Sequence, residues 1–255
     1  MIKAVFFDFY NTLVKFWPPL EQIQQAACQE FGLNISEEGA KHGYAVADVY
    51  FNRENEKQPL ALRTDEERLE FFTRYEQMIL SNAGLPVSLD MAQRVWEMAS
   101  LVPKEFMVFD DTVPALAQLH GGGYQVGIIS NLRRDMTQIC QRLGIGQYVD
   151  FVINSAEVGS EKPSAPIFLA ALEQATVAPQ EAVHVGDQHR SDVLGARGVG
   201  IHPVLIDRGD FHADLNDCTK IATLGELVAV LAAAPNSLQP EKHQLIPELQ
   251  DQVEE

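Results

Sequence analysis

A change of hydrophobic pattern along the chain is the feature that most constrains its fold. The sequence opens with a short apolar run at 2–7, whose β-branched and aromatic residues predict a buried strand. From 20 to 101 the apolar residues recur at helical spacing, with a capping-box pattern at 64–67, and this stretch predicts about four helices and no strand. After Pro103, strand and helix patterns alternate to the end of the apolar sequence.

Alternating strands and helices predict a parallel sheet that is covered by helices on both faces. The strand patterns that follow the helical stretch lie at 124–129, 149–153, 182–185 and 201–206. We therefore predict an α/β fold with a doubly wound, Rossmann-like parallel sheet and an all-helical domain inserted after its first strand.

The pattern also predicts the domain boundaries. Residues 1–16 and 102–234 are assigned to the α/β core, and residues 17–101 to the inserted helical domain. The remaining segment, 235–255, is polar and acidic and contains three prolines, so we predict a mobile tail with no catalytic role.

Charge and cysteine content exclude several classes of function. Lys and Arg number 19 against 36 Asp and Glu, a formal charge of −17, which argues against nucleic acid and anionic membrane partners. No apolar run approaches the roughly 18 residues of a membrane span. The three cysteines Cys28, Cys140 and Cys218 are far apart and odd in number, which predicts reduced thiols in a cytoplasmic protein. The oligomeric state, monomer or homodimer, stays open.

Residues capable of chemistry follow four of the predicted strands. Asp8 follows the first strand, Ser130-Asn131 the second, Lys162 lies in the loop after the third, and the pair Asp187 and Asp192 follows the fourth. Because ligands of open parallel sheets bind at the carboxyl ends of the strands, we expect these side chains to converge on one site.

As an ordered set these residues resemble the motifs of the haloacid dehalogenase-like (HAD) hydrolase superfamily. The matching motifs are Asp-x-x-x-Thr at 8–12, Ser-Asn at 130–131, Gly-x-x-Lys-Pro at 159–163 and Gly-Asp followed by Asp192 at 186–192. The resemblance extends to about residue 206 and implies that the inserted helices are the family's cap. It also implies that Phe109–Thr112 marks the return of the chain from cap to core.

A carboxylate nucleophile and its electrostatic partners are consistent with this resemblance. Asp8 is the predicted nucleophile, which would divide a substitution into two steps through a covalent intermediate. Lys162 would neutralise the nucleophile and the transferring group, and Ser130 would donate a hydrogen bond to a phosphoryl oxygen. Thr12 and Asn131 complete the predicted set of residues that bind a small anionic substrate.

The acidic residues predict a Mg²⁺ site, because Mg²⁺ prefers hard oxygen ligands. Asp8 and Asp187 would supply carboxylates, and the main-chain carbonyl of Tyr10 a third oxygen. Asp192 would act as a ligand through water or orient Asp187. The neighbouring His184 is predicted to point into the sheet or an adjacent layer.

Position 10 departs from the pattern of the family's phosphatases, which carry an Asp there as proton donor and acceptor. Tyr10 is a candidate catalytic residue, but a phenol is a poor base at neutral pH, and loss of a general acid–base costs on the order of 10²–10⁴ in rate. The Asp-x-Tyr arrangement resembles 2-haloacid dehalogenases, which use no metal, whereas Asp187 and Asp192 favour a metal.

We predict Mg²⁺-dependent hydrolysis of a small phosphate ester. The alternatives are a 2-haloacid dehalogenase-like hydrolase, and a weakly active or non-catalytic protein that binds a metal and ligand.

Overall fold

The structure, a computed structural model, describes residues 1–233, with the backbone alone at 56, 61, 232 and 233. Residue 234 and the predicted tail at 235–255 lie outside the described residues. The strands of the described part are β1 (Ala4–Phe7), β2 (Val14–Trp17), β3 (Glu105–Val108), β4 (Gln125–Ser130), β5 (Phe151–Asn154), β6 (Ala182–Gly186), β7 (His202–Ile206) and β8 (Thr219–Ile221).

Helices cover most of the remaining chain. They are α1 (Leu20–Gln29), α2 (Glu37–Lys57), α3 (Asp65–Asn82), α4 (Leu89–Ser100), α5 (Thr112–Gly121), α6 (Met136–Arg142), α7 (Ser155–Val158), α8 (Ala165–Ala175), α9 (Gly195–Gly198) and α10 (Leu224–Ala233). The predicted helix at 192–197 begins instead as a π-helical turn, His189–Leu194, that continues into α9.

Six parallel strands form the central sheet in the order β5-β4-β1-β6-β7-β8. All four residues of β1 are buried, because helices cover both faces of the sheet. Val5 and Phe7 pack in one hydrophobic cluster with α5, α6 and α10, whereas Ala4 and Phe6 pack in a second cluster with α8 and α9. This alternation follows from the two-residue period of a strand. The predicted doubly wound α/β fold is confirmed.

The inserted segment folds into α1 to α4 around a third hydrophobic cluster, which includes Ile23, Leu80 and Val95. The predicted capping box begins α3, with the Thr64 hydroxyl accepting from the Glu67 N–H and the Glu67 carboxylate accepting from the Thr64 N–H. Helices α2 and α3 pack closely at Gly43, where an added Cβ would lie 2.3 Å from the carbonyl oxygen of Ile79.

A short antiparallel ribbon joins the two parts of the chain. Strand β2 leaves the core and pairs with β3, which returns to it, with Val14 opposite Val108 and Trp17 opposite Glu105. The ribbon was not predicted, because each strand is four residues long and its partner lies about ninety positions away. The predicted boundary at 16/17 falls within β2, so the domain limits stay a prediction.

Strand β8 and the single turn α7 were also not predicted from the sequence. The three cysteines are free thiols, two of them buried. Among the described residues, no helix is long and apolar enough to cross a membrane.

Candidate active site

Three carboxylates meet at the carboxyl edge of the sheet. Asp8 follows β1, Asp187 follows β6, and Asp192 lies in the π-helical turn after β6. Each offers one carboxylate oxygen, and these three oxygens lie within 4.8 Å of one another. Their convergence follows from the parallel pairing of β1 with β6, which brings both strand ends to the same edge.

Lys162 lies among these carboxylates as a buried cation. Its Nζ lies 2.5 Å from Asp8 Oδ1 and 2.7 Å from Asp192 Oδ1, and its side chain is 3% exposed. Burial works against its charged form, but the charges of Asp192 and Asp8 raise the pKa of Lys162 above its usual value. The amine therefore stays protonated and offsets part of the negative charge of the site.

Asn131 fixes the loop that carries Lys162. Its Oδ1 accepts a hydrogen bond from the Lys162 backbone N–H at 2.8 Å, and its Nδ2 donates to the Lys162 carbonyl oxygen at 3.1 Å. Both polar atoms of the Asn131 side chain are thus used in positioning the lysine. Substrate binding by Asn131 stays a prediction.

Asp192 is held from several sides. Its Oδ1 also lies 2.9 Å from His184 Nε2, and its Oδ2 accepts from the Gln188 N–H at 3.1 Å. Burial opposes ionisation, but Lys162 and His184 hold the pKa of Asp192 below its usual value. Gly186 makes room for this arrangement, since an added Cβ would lie 2.2 Å from Asp192 Cγ.

His184 has a role that the sequence did not reveal. The ring is buried in β6 and packs edge-on against Phe168 in the adjacent layer, as predicted, with ring centroids 5.2 Å apart. Its hydrogen bond to Asp192 was missed. Burial lowers the pKa of His184, so the neutral imidazole donates one hydrogen bond to a charged carboxylate.

Asp187 differs from the other two carboxylates in having no partner among the described residues. In the described part of the chain no hydrogen bond or ion pair engages its side chain, although the residue is half-buried. Burial, followed by the charges of Asp8 and Asp192, raises the pKa of Asp187 well above its usual value. A cation beside Asp187 would offset both the burial of its charge and the repulsion from Asp8 and Asp192. Three convergent carboxylate oxygens are ligands that fit Mg²⁺.

Asp8 is ionisable near neutral pH. Burial raises its pKa to about 6, against the opposing effect of Lys162, and the Asp192 charge adds to the rise. Its backbone N–H donates to the Val185 carbonyl oxygen at 2.8 Å, which fixes the residue to β6. Above pH 6 the carboxylate form predominates, which is the form that a nucleophile requires.

Two predicted substrate-binding hydroxyls are buried. Ser130 ends β4, and its Oγ accepts from the Leu132 N–H at 3.2 Å. Thr12 has no exposed surface, and its Oγ1 has no hydrogen-bond partner among the described residues. Substrate binding by either side chain stays a prediction.

Tyr10 lies in the tight turn between Asp8 and β2, where Asn11 adopts a left-handed φ of 60°. Its ring packs against Phe16, with centroids 4.7 Å apart. Burial, then the charges of Asp48 and Asp187, raises the pKa of Tyr10 well above 10. The phenol therefore keeps its proton and is a poor general base. Metal binding by its main-chain carbonyl stays a prediction.

Comparison with known proteins identifies the family. A family model of haloacid dehalogenase-like hydrolases matches residues 2–200. The chain belongs to this family. The resemblance inferred from its motifs is confirmed, and the protein is a hydrolase by family.

Proteins similar to this HAD-like hydrolase include two named phosphatases and the solved structure of a dehalogenase. A ribulose-1,5-bisphosphate 5-phosphatase from Halopiger xanaduensis is 30% identical over 81% of this chain and 85% of its own. The crystal structure of a HAD phosphatase from Thermococcus onnurineus matches with a TM-score of 0.55 and 25% identity over 90% of this chain and 98% of that one. The crystal structure of a 2-haloacid dehalogenase from Pseudomonas syringae matches with a TM-score of 0.54 and 24% identity, and the match covers 91% of this chain and 99% of that one. This likeness shows the fold alone.

Proposed function

We propose that this HAD-like hydrolase is a Mg²⁺-dependent phosphatase that acts on a small phosphate ester through Asp8. The carboxylate of Asp187 carries the proposal. Together with Asp8 and Asp192 it places three carboxylate oxygens within 4.8 Å of one another, and Lys162 is the charged partner of Asp8 and Asp192 alone among the three. A metal-free site gains nothing from an unpartnered third carboxylate, whereas a metal site requires it.

Phosphoryl transfer explains the roles of the other groups. An oxygen of Asp8 attacks phosphorus, the bond from phosphorus to the alcohol oxygen breaks, and water then attacks phosphorus to release phosphate and regenerate Asp8. Lys162 holds the attacking carboxylate in place and offsets charge on the transferring group. Mg²⁺ held by Asp8 and Asp187, and by the carbonyl of Tyr10, would supply positive charge to the phosphoryl oxygens.

The phosphatase relative supports the substrate class. That protein is named for a phosphorylated sugar, and its similarity covers 81% of this chain. We therefore propose phosphorylated sugars and related small alcohols as substrates.

Product analysis tests this proposal against its two alternatives. We expect purified protein with Mg²⁺ to release inorganic phosphate from a panel that includes ribulose 1,5-bisphosphate and smaller sugar phosphates, and to lose this activity in chelator. Release of chloride from 2-chloropropionate in chelator would identify a dehalogenase instead. Absence of both activities, with Mg²⁺ still bound, would leave the non-catalytic binding protein.

Metal binding is expected to depend on pH through Asp8. Because its folded-state pKa is raised from an unfolded value near 4 to about 6, its ionisation lowers the stability of the metal-free protein between about pH 4 and pH 6. Mg²⁺ binds the ionised form, so its stabilising effect is larger at about pH 7.5 than at about pH 5. At a 100-fold excess over Kd the gain is about 2.7 kcal/mol, which thermal denaturation with and without Mg²⁺ measures.

The Asp187→Asn variant is the matched control for this experiment. It removes one proposed ligand charge and leaves Asp8 in place, so the shift in melting temperature with Mg²⁺ should shrink at both pH values. An equal shift with Mg²⁺ in wild type and variant would contradict the proposed metal site.

A further inference from the structure

Hydrolysis of an alkyl phosphate needs a group that first gives a proton and then takes one. The departing alkoxide must be protonated, and the attacking water must lose a proton. Tyr10 occupies the position expected for this group, but its pKa lies well above 10, so it does not serve as the base of the second step. The inference that follows rests on the proposed phosphatase function.

Helix α2 of the cap contacts the loop that carries Lys162. Asn55 Nδ2 donates to Glu161 Oε2 at 2.9 Å, and Glu161 directly precedes Lys162. Asp48 lies seven residues before Asn55, which is two helical turns and about 10 Å along the same face. The α2 face that contacts the lysine loop therefore also carries Asp48.

The charge of Asp48 acts on two core residues next to the nucleophile. After burial, the charge of Asp48 is the largest contribution that raises the pKa of Tyr10, and it also contributes to the raised pKa of Asp187. Both residues flank the nucleophile on the core side. Asp48 is thus a cap residue whose charge acts on the active site.

The hydrogen bonding of Asp48 leaves one oxygen for a substrate. Tyr75 Oη on α3 donates to Asp48 Oδ1 at 2.5 Å and fixes the orientation of the carboxyl group. No further hydrogen bond engages the Asp48 side chain within the described residues, and the residue is half-buried. Its second oxygen therefore remains available to give and take a proton.

We propose that Asp48 of the cap is the general acid and base of this hydrolase, in place of the aspartate that other phosphatases carry at the position of Tyr10. The cap then supplies a catalytic group in addition to covering the substrate.

The proposed steps balance in atoms and charge. In the first step Asp8 attacks phosphorus, the bond from phosphorus to the alcohol oxygen breaks, and the Asp48 carboxylic acid gives its proton to that oxygen. In the second step the Asp48 carboxylate takes a proton from water, whose oxygen attacks phosphorus. The bond between phosphorus and Asp8 breaks, phosphate leaves, and Asp48 is protonated again.

The environment of Asp48 supports this cycle. Burial raises its pKa to about 6, while the hydrogen bond from Tyr75 acts in the opposite direction. Near neutral pH both protonation states are accessible, as a group that alternates between acid and base requires. The titratable groups that interact with it are Tyr75 on α3, Tyr44 one turn earlier on α2, and Tyr10 and Asp187 on the core.

Leaving-group chemistry tests the proposal. We expect Asp48→Asn to lower kcat/KM for an alkyl phosphate by on the order of 10²–10⁴, because alkoxide departure needs a proton. For 2,4-dinitrophenyl phosphate, whose phenolate leaves unprotonated, kcat/KM should change by less than about 10-fold.

With 2,4-dinitrophenyl phosphate the Asp48→Asn variant should show a burst of phenolate equal to the enzyme concentration, since the second step still needs the base. Asn can accept the same hydrogen bond from Tyr75, so the fold is preserved.

Asp90→Asn, the same chemical change at an exposed cap residue, is the matched control and should leave both substrates unaffected. Tyr75→Phe supplies an independent readout. Loss of its hydrogen bond raises the pKa of Asp48, so the alkaline limb of kcat/KM for the alkyl phosphate should move to higher pH.

Equal losses of kcat/KM on both substrates in Asp48→Asn, or no loss on either, would overturn the role of Asp48 while the phosphatase activity of the wild-type enzyme stands. A wild-type enzyme that releases no phosphate from any ester would overturn the proposed function and this proposal with it.

Discussion

Replacement of Asp8 by Asn is expected to abolish hydrolysis, with kcat/KM falling by on the order of 10⁴-fold or more. Asn has nearly the same shape, so the loss comes from chemistry: an amide oxygen is a poor nucleophile and carries no charge for a metal ion. The loss should be equal for alkyl and dinitrophenyl phosphates, because both need the same attack on phosphorus. Steady-state phosphate release on both substrates measures it.

The folding of the Asp8→Asn variant should be intact. Its carboxamide can still accept from Lys162, and removal of a buried carboxyl with a pKa of about 6 removes one repulsive charge next to Asp192 and Asp187 at neutral pH. We therefore expect a melting temperature equal to or above that of the metal-free wild type.

Asp150→Asn is the matched control for this variant. Asp150 is exposed and lies just before β5, at the opposite edge of the sheet, where an Asn can keep the hydrogen bond from the Val126 N–H. Its activity should equal that of wild type. Rapidly quenched wild-type enzyme should carry a hydroxylamine-sensitive phosphoryl label that Asp8→Asn lacks. Turnover of Asp8→Asn at more than about one hundredth of the wild-type rate would exclude Asp8 as the nucleophile.

Much of the core could be predicted because its signals are local. The apolar run before Asp8 and the β-branched run before Gly186 each define a strand and its end, and parallel pairing brings those ends together. The family resemblance supplied the order of the motifs. The sequence therefore predicts that Asp8, Lys162, Asp187 and Asp192 lie in one site.

The residues that the sequence did not reveal depend on contacts between distant segments. Asp48 lies in the middle of a long helix, and the sequence does not say which face of that helix meets the core. The contact between Asn55 and Glu161 in the structure identifies that face. His184 occupies a buried strand position that an apolar residue could fill equally well. Its bond to Asp192 depends on the π-helical turn eight residues later, which no local pattern predicts.

The negative charge of the chain has a local counterpart in the site. A protein with a formal charge of −17 repels an anionic ester at long range. Its active site must therefore supply positive charge within a few ångströms of the bound ester. Among the described residues Lys162 is the cation that contacts both Asp8 and Asp192. Removal of the Lys162 charge tests how far the stability of the fold depends on its pairing with these two carboxylates.

Lys162→Met is expected to lower both stability and activity. The variant leaves Asp8 and Asp192 without their buried cation, and breaking a buried pair in this way costs about 3–5 kcal/mol in the free energy of unfolding. Loss of the charge that faces the transferring group lowers kcat by on the order of 10²–10³ as well. Urea denaturation at neutral pH, without Mg²⁺, measures the first effect, and phosphate release with saturating Mg²⁺ measures the second.

The pH dependence identifies the cause of the stability loss. In wild type Lys162 holds the pKa of Asp192 below its unfolded value of about 3.9, so that stabilisation is present above about pH 4 and is lost on acidification. In Lys162→Met the buried carboxylates have no cation and take up protons as the pH falls from about 7 toward about 4, so the gap in unfolding free energy between wild type and variant should narrow over that range. It should narrow further below about pH 4, where wild-type Asp192 loses its own stabilisation. Lys3→Met removes an exposed pair with Glu181 and should cost less than about 1 kcal/mol at every pH. A gap that stays constant with pH would mean that Lys162 stabilises the fold through the packing of its alkyl chain and not through its charge.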